Sequence, residues 1–442
     1  MPHSVQDQLL EEDVFDPKIH LSYKEPDKSF TLADLGLVQH EDSTPTAGTL
    51  PFPLLSRQGV IAYRRSTMSP EVIKKCARLV GEGTLVMRNV SKCSRFVADF
   101  WSHPETTRIV SSALRVPLDV IMPMEMGHTN IQVTGQTDLL EQLRVEPSVE
   151  ATPLTEEEKN YDPLGSNSVI PWHYDSYPYV CIIMLSDTTH MHGGYTYIKT
   201  GDGSTQKIEG PSLGTAVVLQ GGQVEHLAAR AFGTAERITT ISSYRVKAIG
   251  AWDNSFISNV RPYDSLPELY NDWSLYRLKK MREEIEAMEA KIVDAQKLEQ
   301  KFPHSEVEAL CERLTDYSAR TARQMIHPQI RDNMVSKFSQ AGVGKAPKLW
   351  AKVKALPDSA DHIANAMEKT EAEMPELTKY ILDWCETKAK IERNIPETSQ
   401  HGPFAWPTGE VYYFPDELVR QGLKEVLLDW MDRTGILALV QE

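Results

Sequence analysis

The chain is short of cysteine, of long apolar runs and of basic charge, and each shortage removes a class of function. Its five cysteines (Cys76, Cys93, Cys181, Cys311 and Cys385) are scattered over 442 residues without C-x-x-C spacing. An odd, dispersed set excludes a disulfide framework or a zinc knuckle and suits reduced thiols. No stretch approaches the roughly 20 apolar residues that a membrane span needs. Lys+Arg number 47 against 62 Asp+Glu, a net charge of −15. Phosphate backbones are gripped by Lys and Arg, so nucleic acid is not an expected partner, nor is an anionic membrane surface. The start, Met1-Pro-His-Ser-Val-Gln-Asp-Gln, lacks a basic stretch followed by an apolar core. The end, Val440-Gln-Glu442, is neither a peroxisomal nor a prenylation signal. A cytoplasmic location is therefore expected. What is present, 41% hydrophobic and 25% charged residues, describes a globular chain able to bury a sizeable core.

Pattern divides the chain into three regions. Residues 1–50 are polar and acidic and are expected to wrap the surface as an arm. Residues 51–250 hold the core. Within it, Gly59-Val-Ile-Ala-Tyr63 reads as a strand, and Ser69 to Val80 reads as a helix capped by Ser69 with Pro70 at its first position. Strand-like runs then follow at Val120–Met126, Gly127–Val133, Tyr179–Leu185, Tyr195–Lys199, Gln206–Glu209, Thr215–Leu219 and Arg237–Val246. Gly193-Gly194 and Gly201-Asp-Gly203 punctuate them, and this rhythm suits a barrel or sandwich. Residues 146–171, rich in Pro, Glu, Ser, Asn and Gly, form a long irregular segment that reads as a lid. Residues 262–442 turn helical. Leu278, Met281, Ile285, Met288, Ile292 and Ala295 make a narrow seam in the first helix, and a second helix begins at Ser305 and stops before Pro328. That pair is expected to pack on the core, the alternative being a homodimer contact. Further helices are expected over 372–392 and 416–434.

The chemistry concentrates at His173-Tyr174-Asp175 and at His226, 51 positions beyond Asp175. In an extended chain residues i and i+2 point the same way, so His173 and Asp175 can grip one ion, with His226 arriving from a distant strand across the barrel. Two imidazoles and a carboxylate suit the facial triad of non-haem Fe(II), which leaves positions open for a cofactor and O2. Arg237 follows eleven residues later in a strand-like run, where a guanidinium suits the distal carboxylate of 2-oxoglutarate with the Thr239 hydroxyl beside it. Taken singly, an H-x-D pair is common, His226 could be a core histidine and Arg237 a surface ion-pair partner. Their order on strand-like segments is what sets them apart. His128, Asn130 and Gln132 alternate on one strand face, and Tyr174 and Tyr177 flank the metal pair. These five are candidates for substrate contact, with an internal hydrogen-bond network as the equal alternative for the strand triplet. His190 and His192 lack a third ligand and read as surface histidines.

Six motifs together carry a resemblance: Trp172-His-Tyr-Asp-Ser-Tyr-Pro178, Met184-Leu-Ser-Asp-Thr-Thr189, Gly193-Gly194, Val218-Leu-Gln-Gly221, Glu225-His226 and Glu236-Arg-Ile-Thr239. With Gly127-His-Thr-Asn-Ile-Gln132 upstream, the chain resembles a group of fungal Fe(II)/2-oxoglutarate-dependent oxygenases over about residues 50–248. That group includes an enzyme that closes an aziridine ring on an amino acid in a pathway to aminoisobutyrate. Tyr195, after Gly193-Gly194, departs from the acidic or small residue the group leads one to expect. The resemblance implies an α+β fold: a double-stranded β-helix (jelly-roll, cupin-like) core with N-terminal helices and a helical C-terminal region. It also implies Fe(II) on His173, Asp175 and His226, 2-oxoglutarate on Arg237, and O2 as co-substrate. The expected activity is that of a dioxygenase acting on a small molecule, an amino acid or secondary-metabolite intermediate. By the same resemblance, a ferryl ion would take a hydrogen atom from the substrate, ending in hydroxylation, desaturation or ring closure. Asp175, in place of a small residue, speaks against halogenation. A zinc hydrolase on the same barrel and a non-catalytic β-barrel interaction protein remain open.

Overall fold

The computed structural model describes residues 13–325 except 41–42, 82–83, 134–142, 166–167, 252, 258–259, 261–263 and 265. The helices expected over 372–392 and 416–434 lie outside the described residues. The strands run, in chain order, β1 Ser29–Thr31, β2 Thr46–Thr49, β3 Phe52–Pro53, β4 Ala77–Gly81, β5 Thr84–Met87, β6 Leu118–Val120, β7 Met126–Val133 and β8 Ile170–His173. They continue with β9 Tyr179–Met184, β10 His192–Gly193, β11 Thr196–Lys199, β12 Thr205–Ile208, β13 Thr215–Leu219, β14 His226–Ala228, β15 Ala231–Phe232 and β16 Glu236–Val246. The large antiparallel sheet has the order β1-β2-β13-β9-β16-β7-β5-β4, with β3 beside β13 and β6 beside β16. A smaller sheet runs β12-β11-β14-β8.

The two-residue alternation of β9, β13 and β16 explains how these sheets meet. Tyr179, Cys181, Ile183, Ala216, Val218, Ile238 and Tyr244 face one way and join a core with Tyr63, Phe96, Phe100, Trp101 and Leu114 from the N-terminal helices. Val180, Val217, Leu219 and Ile241 face the other way, against Ile198 of β11 and Ile208 of β12. The large sheet is thus covered by helices on one side and by the smaller sheet on the other. Burial on both faces is why Ala216-Val-Val-Leu219 is apolar without alternation.

Several local expectations are corrected. Gly59–Tyr63 lies inside a helix, Arg57–Thr67, started by the Ser56 hydroxyl accepting from Gly59 N at 2.9 Å. A five-residue apolar run has no period of its own, and the cap decides. The helix capped by Ser69 ends at Cys76, because Ala77–Gly81 pairs with β5. The N-terminal segment does more than wrap: β1 and β2 belong to the large sheet, with Leu219 opposite Gly48. Within 146–171, Thr155 and Glu158 form a reciprocal capping box on the short helix Glu156–Lys159.

The described residues up to Ser255, with Asn271–Val293, form one compact unit. The described residues of Phe256–Tyr270 and those from Asp294 to Met325 belong to a second. The first C-terminal helix, Leu266–Lys297, contributes Asn271–Val293 to the first of these units. Its buried face is not the apolar seam. Trp273, Tyr276, Arg277, Lys280 and Glu284 are buried, whereas Leu278 and Ile285 are 57% and 41% exposed. The buried face joins aromatics to charge: Trp273 and Tyr276 lie on it, Arg277 meets Asp253 at 3.2 Å, and Lys280 pairs with Glu284 one turn along the same helix at 2.6 Å. The second helix spans His304–Arg323. Among the described residues no helix is long and apolar enough to cross a membrane.

Candidate metal centre and anion cleft

His173 ends β8 and His226 opens β14, and the two residues are direct partners in the antiparallel ladder. Opposed partners carry their side chains on one face, so the rings approach to 4.3 Å between centroids. His226 is also opposite Ile198, whose side chain lies between the sheets, so both imidazoles face the interior. The third ligand thus reaches the site from the adjacent strand, not across the barrel. Asp175, two residues beyond His173, is held by its backbone N–H donating to the Gly221 carbonyl at 2.9 Å. His173 Nε2 stands 3.5 Å from Asp175 Oδ1, and His226 Nε2 stands 3.5 Å from Oδ2. One ligand atom from each of the three falls within 4.8 Å of the others.

The protonation of this cluster follows from its neighbours. His226 Nδ1 lies 2.9 Å from the Val224 carbonyl, which can only accept, so Nδ1 carries the ring proton. Burial holds the His226 pKa down to about 4, against the pull of Asp175, and the ring is neutral near pH 7. Its Nε2 is then a lone pair aimed at the cluster. Burial pushes the Asp175 carboxyl upward, but His226, His173 and His128 outweigh it and bring the group below its usual range. Asp175 Oδ2 is buried with no hydrogen-bond donor. A lone pair and a carboxylate oxygen facing each other at 3.5 Å repel unless a cation or a hydrogen-bond donor lies between them. Gly221 makes room: a Cβ there would stand 1.8 Å from Asp175 Oδ2. The donor set, two imidazoles and a carboxylate, fits Fe(II).

A small cleft opens between the sheets, lined by Ile182, Met184, Thr196, Val217, Arg237 and Thr239 among others. Arg237 is 6% exposed, and burial lowers its pKa to about 10, leaving it a cation at neutral pH. Among the described residues its side chain makes one hydrogen bond, Nε donating to the Gly194 carbonyl at 3.0 Å. Gly194 takes φ +72°, and a Cβ on it would press to 3.3 Å from Arg237 Cδ. Among the described residues Arg237 has no carboxylate partner. Arg245, on the same face of β16, is occupied by Asp119 at 3.3 Å and Glu283 at 2.5 Å.

The remaining candidates divide. His128, Asn130 and Gln132 lie opposite Ile241, Thr239 and Arg237 in the β7–β16 ladder. Gln132 is spent on structure: its Nε2 donates to the Ala231 carbonyl at 2.7 Å and its Oε1 accepts from Ala231 N at 3.0 Å. Tyr177 is buried and Tyr174 half-buried beside the triad. His190 and His192 are exposed, and Tyr195 lies under the Lys207 ammonium at 4.6 Å. Sequence reasoning quoted Gly221 within a motif but gave it no role, and it passed over the Arg88–Glu125 pair behind His128, which carried no local signal. It also passed over Lys199, which sits 4.8 Å over the Trp172 ring and pairs with Glu225 at 2.7 Å, bracing the residues just before both histidines.

No protein-family model and no curated protein sequence matches the chain. Among solved structures it is similar to an oxidoreductase of the 2OG-Fe(II) oxygenase family from Burkholderia pseudomallei, at 13% identity and a TM-score of 0.26, covering 40% of this chain and 73% of that one. It is also similar to a prolyl-4-hydroxylase from Pseudomonas putida, at 14% identity and a TM-score of 0.25, covering 44% and 89% respectively. HygX from Streptomyces hygroscopicus, with nickel, 2-oxoglutarate and hygromycin B bound, matches at 13% identity and a TM-score of 0.27, covering 46% and 85%. Overlaps this slight assign no chemistry to the chain; its own side chains have to.

Proposed function

We propose that this chain is an Fe(II)/2-oxoglutarate-dependent oxygenase that acts on a small molecule, an amino acid or a secondary-metabolite intermediate, and that its paired sheets are a double-stranded β-helix. The observation that carries the reading is the facing of the His226 Nε2 lone pair and the donorless Asp175 Oδ2 at 3.5 Å, a geometry that calls for a cation. Arg237 supports the choice among metal chemistries. A buried guanidinium without a carboxylate in the inter-sheet cleft suits a dicarboxylic acid, and a zinc hydrolase has no use for it.

In this reading His173, Asp175 and His226 hold Fe(II), and Val224 fixes the His226 tautomer through its carbonyl. Arg237 binds the distal carboxylate of 2-oxoglutarate through the guanidinium nitrogens that Gly194 leaves free, and the Thr239 hydroxyl adds a donor beside it. Ile182, Met184 and Val217 keep water from the chain between. When bound, iron with 2-oxoglutarate and O2 supplies the oxidising power that removes a hydrogen atom from the substrate, with succinate and CO2 as co-products. Asp175 fills the third protein position and so favours hydroxylation, desaturation or ring closure over halogenation. Anaerobic addition of Fe(II) and then 2-oxoglutarate tests the reading: a weak visible charge-transfer band should appear that neither gives alone. Its absence, with metal bound, would point to a zinc hydrolase or an inert module.

A further inference from the structure

Behind the inner face of β7 runs a line of polar side chains that the metal and anion sites do not use. Arg88 and Glu125 are both buried and pair at 2.5 Å. Arg88 also places Nη1 2.9 Å from His128 Nδ1, and His128 Nε2 lies 3.0 Å from Asn130 Oδ1. The direction of these bonds follows from the first of them. A guanidinium has donors only, so His128 Nδ1 must accept and the ring proton must sit on Nε2. That N–H needs an acceptor, so the Asn130 amide turns its oxygen to the ring. Its nitrogen, with two N–H donors, is left facing away from the ring. Asn130 is 6% exposed, and among the described residues nothing accepts from its amide nitrogen. Its ladder partner on the same face is Thr239, which lines the cleft with Arg237.

We infer that Glu125, Arg88 and His128 form an orienting relay that presents the Asn130 amide nitrogen to the cleft as a fixed donor. Its target is a carboxylate or oxo oxygen of the acid that Arg237 anchors. The inference rests on the oxygenase reading of that cleft. Asn130 is the contact residue, and His128, Arg88 and Glu125 are positioning residues. A pre-oriented amide loses little freedom on binding, whereas an unconstrained one presents oxygen or nitrogen with similar ease. The neighbouring Gln132 shows the contrast, since both ends of its amide are held by Ala231.

The test uses the full chain loaded with Mn(II) under anaerobic conditions, with 2-oxoglutarate as the probe and calorimetry as the readout, so that no turnover is needed. Asn130→Asp keeps size and the His128 bond but replaces the donors with a carboxylate oxygen. It should weaken 2-oxoglutarate by about tenfold or more while leaving Mn(II) affinity within about twofold of wild type. His128→Phe removes the orienting ring and should weaken it several-fold. His128→Gln, which can still accept from Arg88 and donate to Asn130, should recover most of that loss, a pattern that plain destabilisation would not give. Asn130→Ala serves as a second probe should the aspartate variant fold poorly, and should also bind weakly. Wild-type affinity in the Asn130 variants, with Arg237→Gln still crippling, would overturn the relay and leave the oxygenase reading standing. If wild-type protein binds Mn(II) but not 2-oxoglutarate, the reading fails and the relay falls with it.

Discussion

His226 derives its chemistry from one hydrogen bond. Because the Val224 carbonyl takes the Nδ1 proton, the ring offers a lone pair at Nε2, beside a carboxylate oxygen that has no donor. Removing any one member should therefore damage metal binding more than folding. His173→Ala, Asp175→Ala and His226→Ala are each expected to lose Fe(II) at micromolar concentration and to lose turnover, with circular dichroism close to wild type. A variant that retains the metal and its activity would remove that residue from the site. The two arginines on one face of β16 separate in the same way. Arg237 has a cleft and no carboxylate, whereas Arg245 has two carboxylates. Arg237→Lys should raise the apparent KM for 2-oxoglutarate about tenfold and Arg237→Gln further, since a point charge cannot replace a planar fork. Arg245→Gln should leave KM unchanged and instead lower the melting temperature, because Asp119 and Glu283 lose their buried cation and keep only the more exposed Lys279. The reverse outcome would move the anion site to Arg245.

At the scale of elements, legibility in the sequence tracked periodicity. The strands of β9, β13 and β16 were readable because two-residue alternation and continuous apolar runs are local signals of half-buried and doubly buried strands. The buried face of Leu266–Lys297 was not, because it includes Arg277 paired with Asp253 and an intrahelical Lys280–Glu284 pair, and hydrophobic spacing carries no record of a buried ion pair. The same holds for Arg88 and Glu125, 37 positions apart in the chain. H-x-D was legible since both residues sit on one extended segment, but the glycine that shapes their pocket belongs to the turn after β13. Gly221→Ala follows as an element-scale prediction. Its backbone carbonyl receives Asp175 N–H, and a methyl group would stand where the carboxylate now lies. The variant should fold with near-native secondary structure yet bind Mn(II) at least about tenfold more weakly, as read by titration, since a displaced ligand oxygen costs a charged contact. Unchanged metal affinity would show that the carboxylate can settle elsewhere. The segment 146–171 is tied at several points to the β14–β15 region: Thr152 N to Gly233 O at 3.2 Å, Val169 N to Ala228 O at 3.0 Å and Arg230 N to the Tyr161 hydroxyl at 3.1 Å. Any lid motion is therefore centred on residues 153–160, between the ties at Thr152 and Tyr161, and limited proteolysis there should slow when 2-oxoglutarate and substrate are both present. Equal cleavage with and without ligands would leave it as an anchored surface segment.

At the scale of the whole molecule, the buried histidines make the sheet unit sensitive to acid, and the sign can be worked out from their surroundings. His128 faces Arg88, Asn130 and, at longer range, Asp175; burial and then the Arg88 charge pull its pKa down to about 3. His226 faces Asp175, His173 and the Val224 carbonyl, and burial brings it to about 4. In the unfolded chain both rings titrate near the usual 6.5. As pH falls below that value the unfolded state takes up protons that the folded state refuses, so stability falls with pH, down to the folded pKa values. The depressed pKa of Asp175 acts in the same direction at lower pH, because stability gained from its charged form is lost as the carboxylate is protonated. Each histidine contributes a slope of at most about 1.4 kcal/mol per pH unit. Metal-free protein unfolded in urea should accordingly show a lower midpoint at pH 5 than at pH 7. His128→Gln, which retains the relay bonds but cannot titrate, should show a smaller drop over the same interval. The comparison uses one buffer ionic strength, since a chain of net charge −15 also gains from screening and from partial neutralisation as acid is added. That gain opposes the histidine effect and is common to both proteins, so the difference between them isolates His128. Equal drops in the two proteins would mean that His128 does not stay neutral across this range in the fold, and the tautomer argument that orients Asn130 would lose its footing.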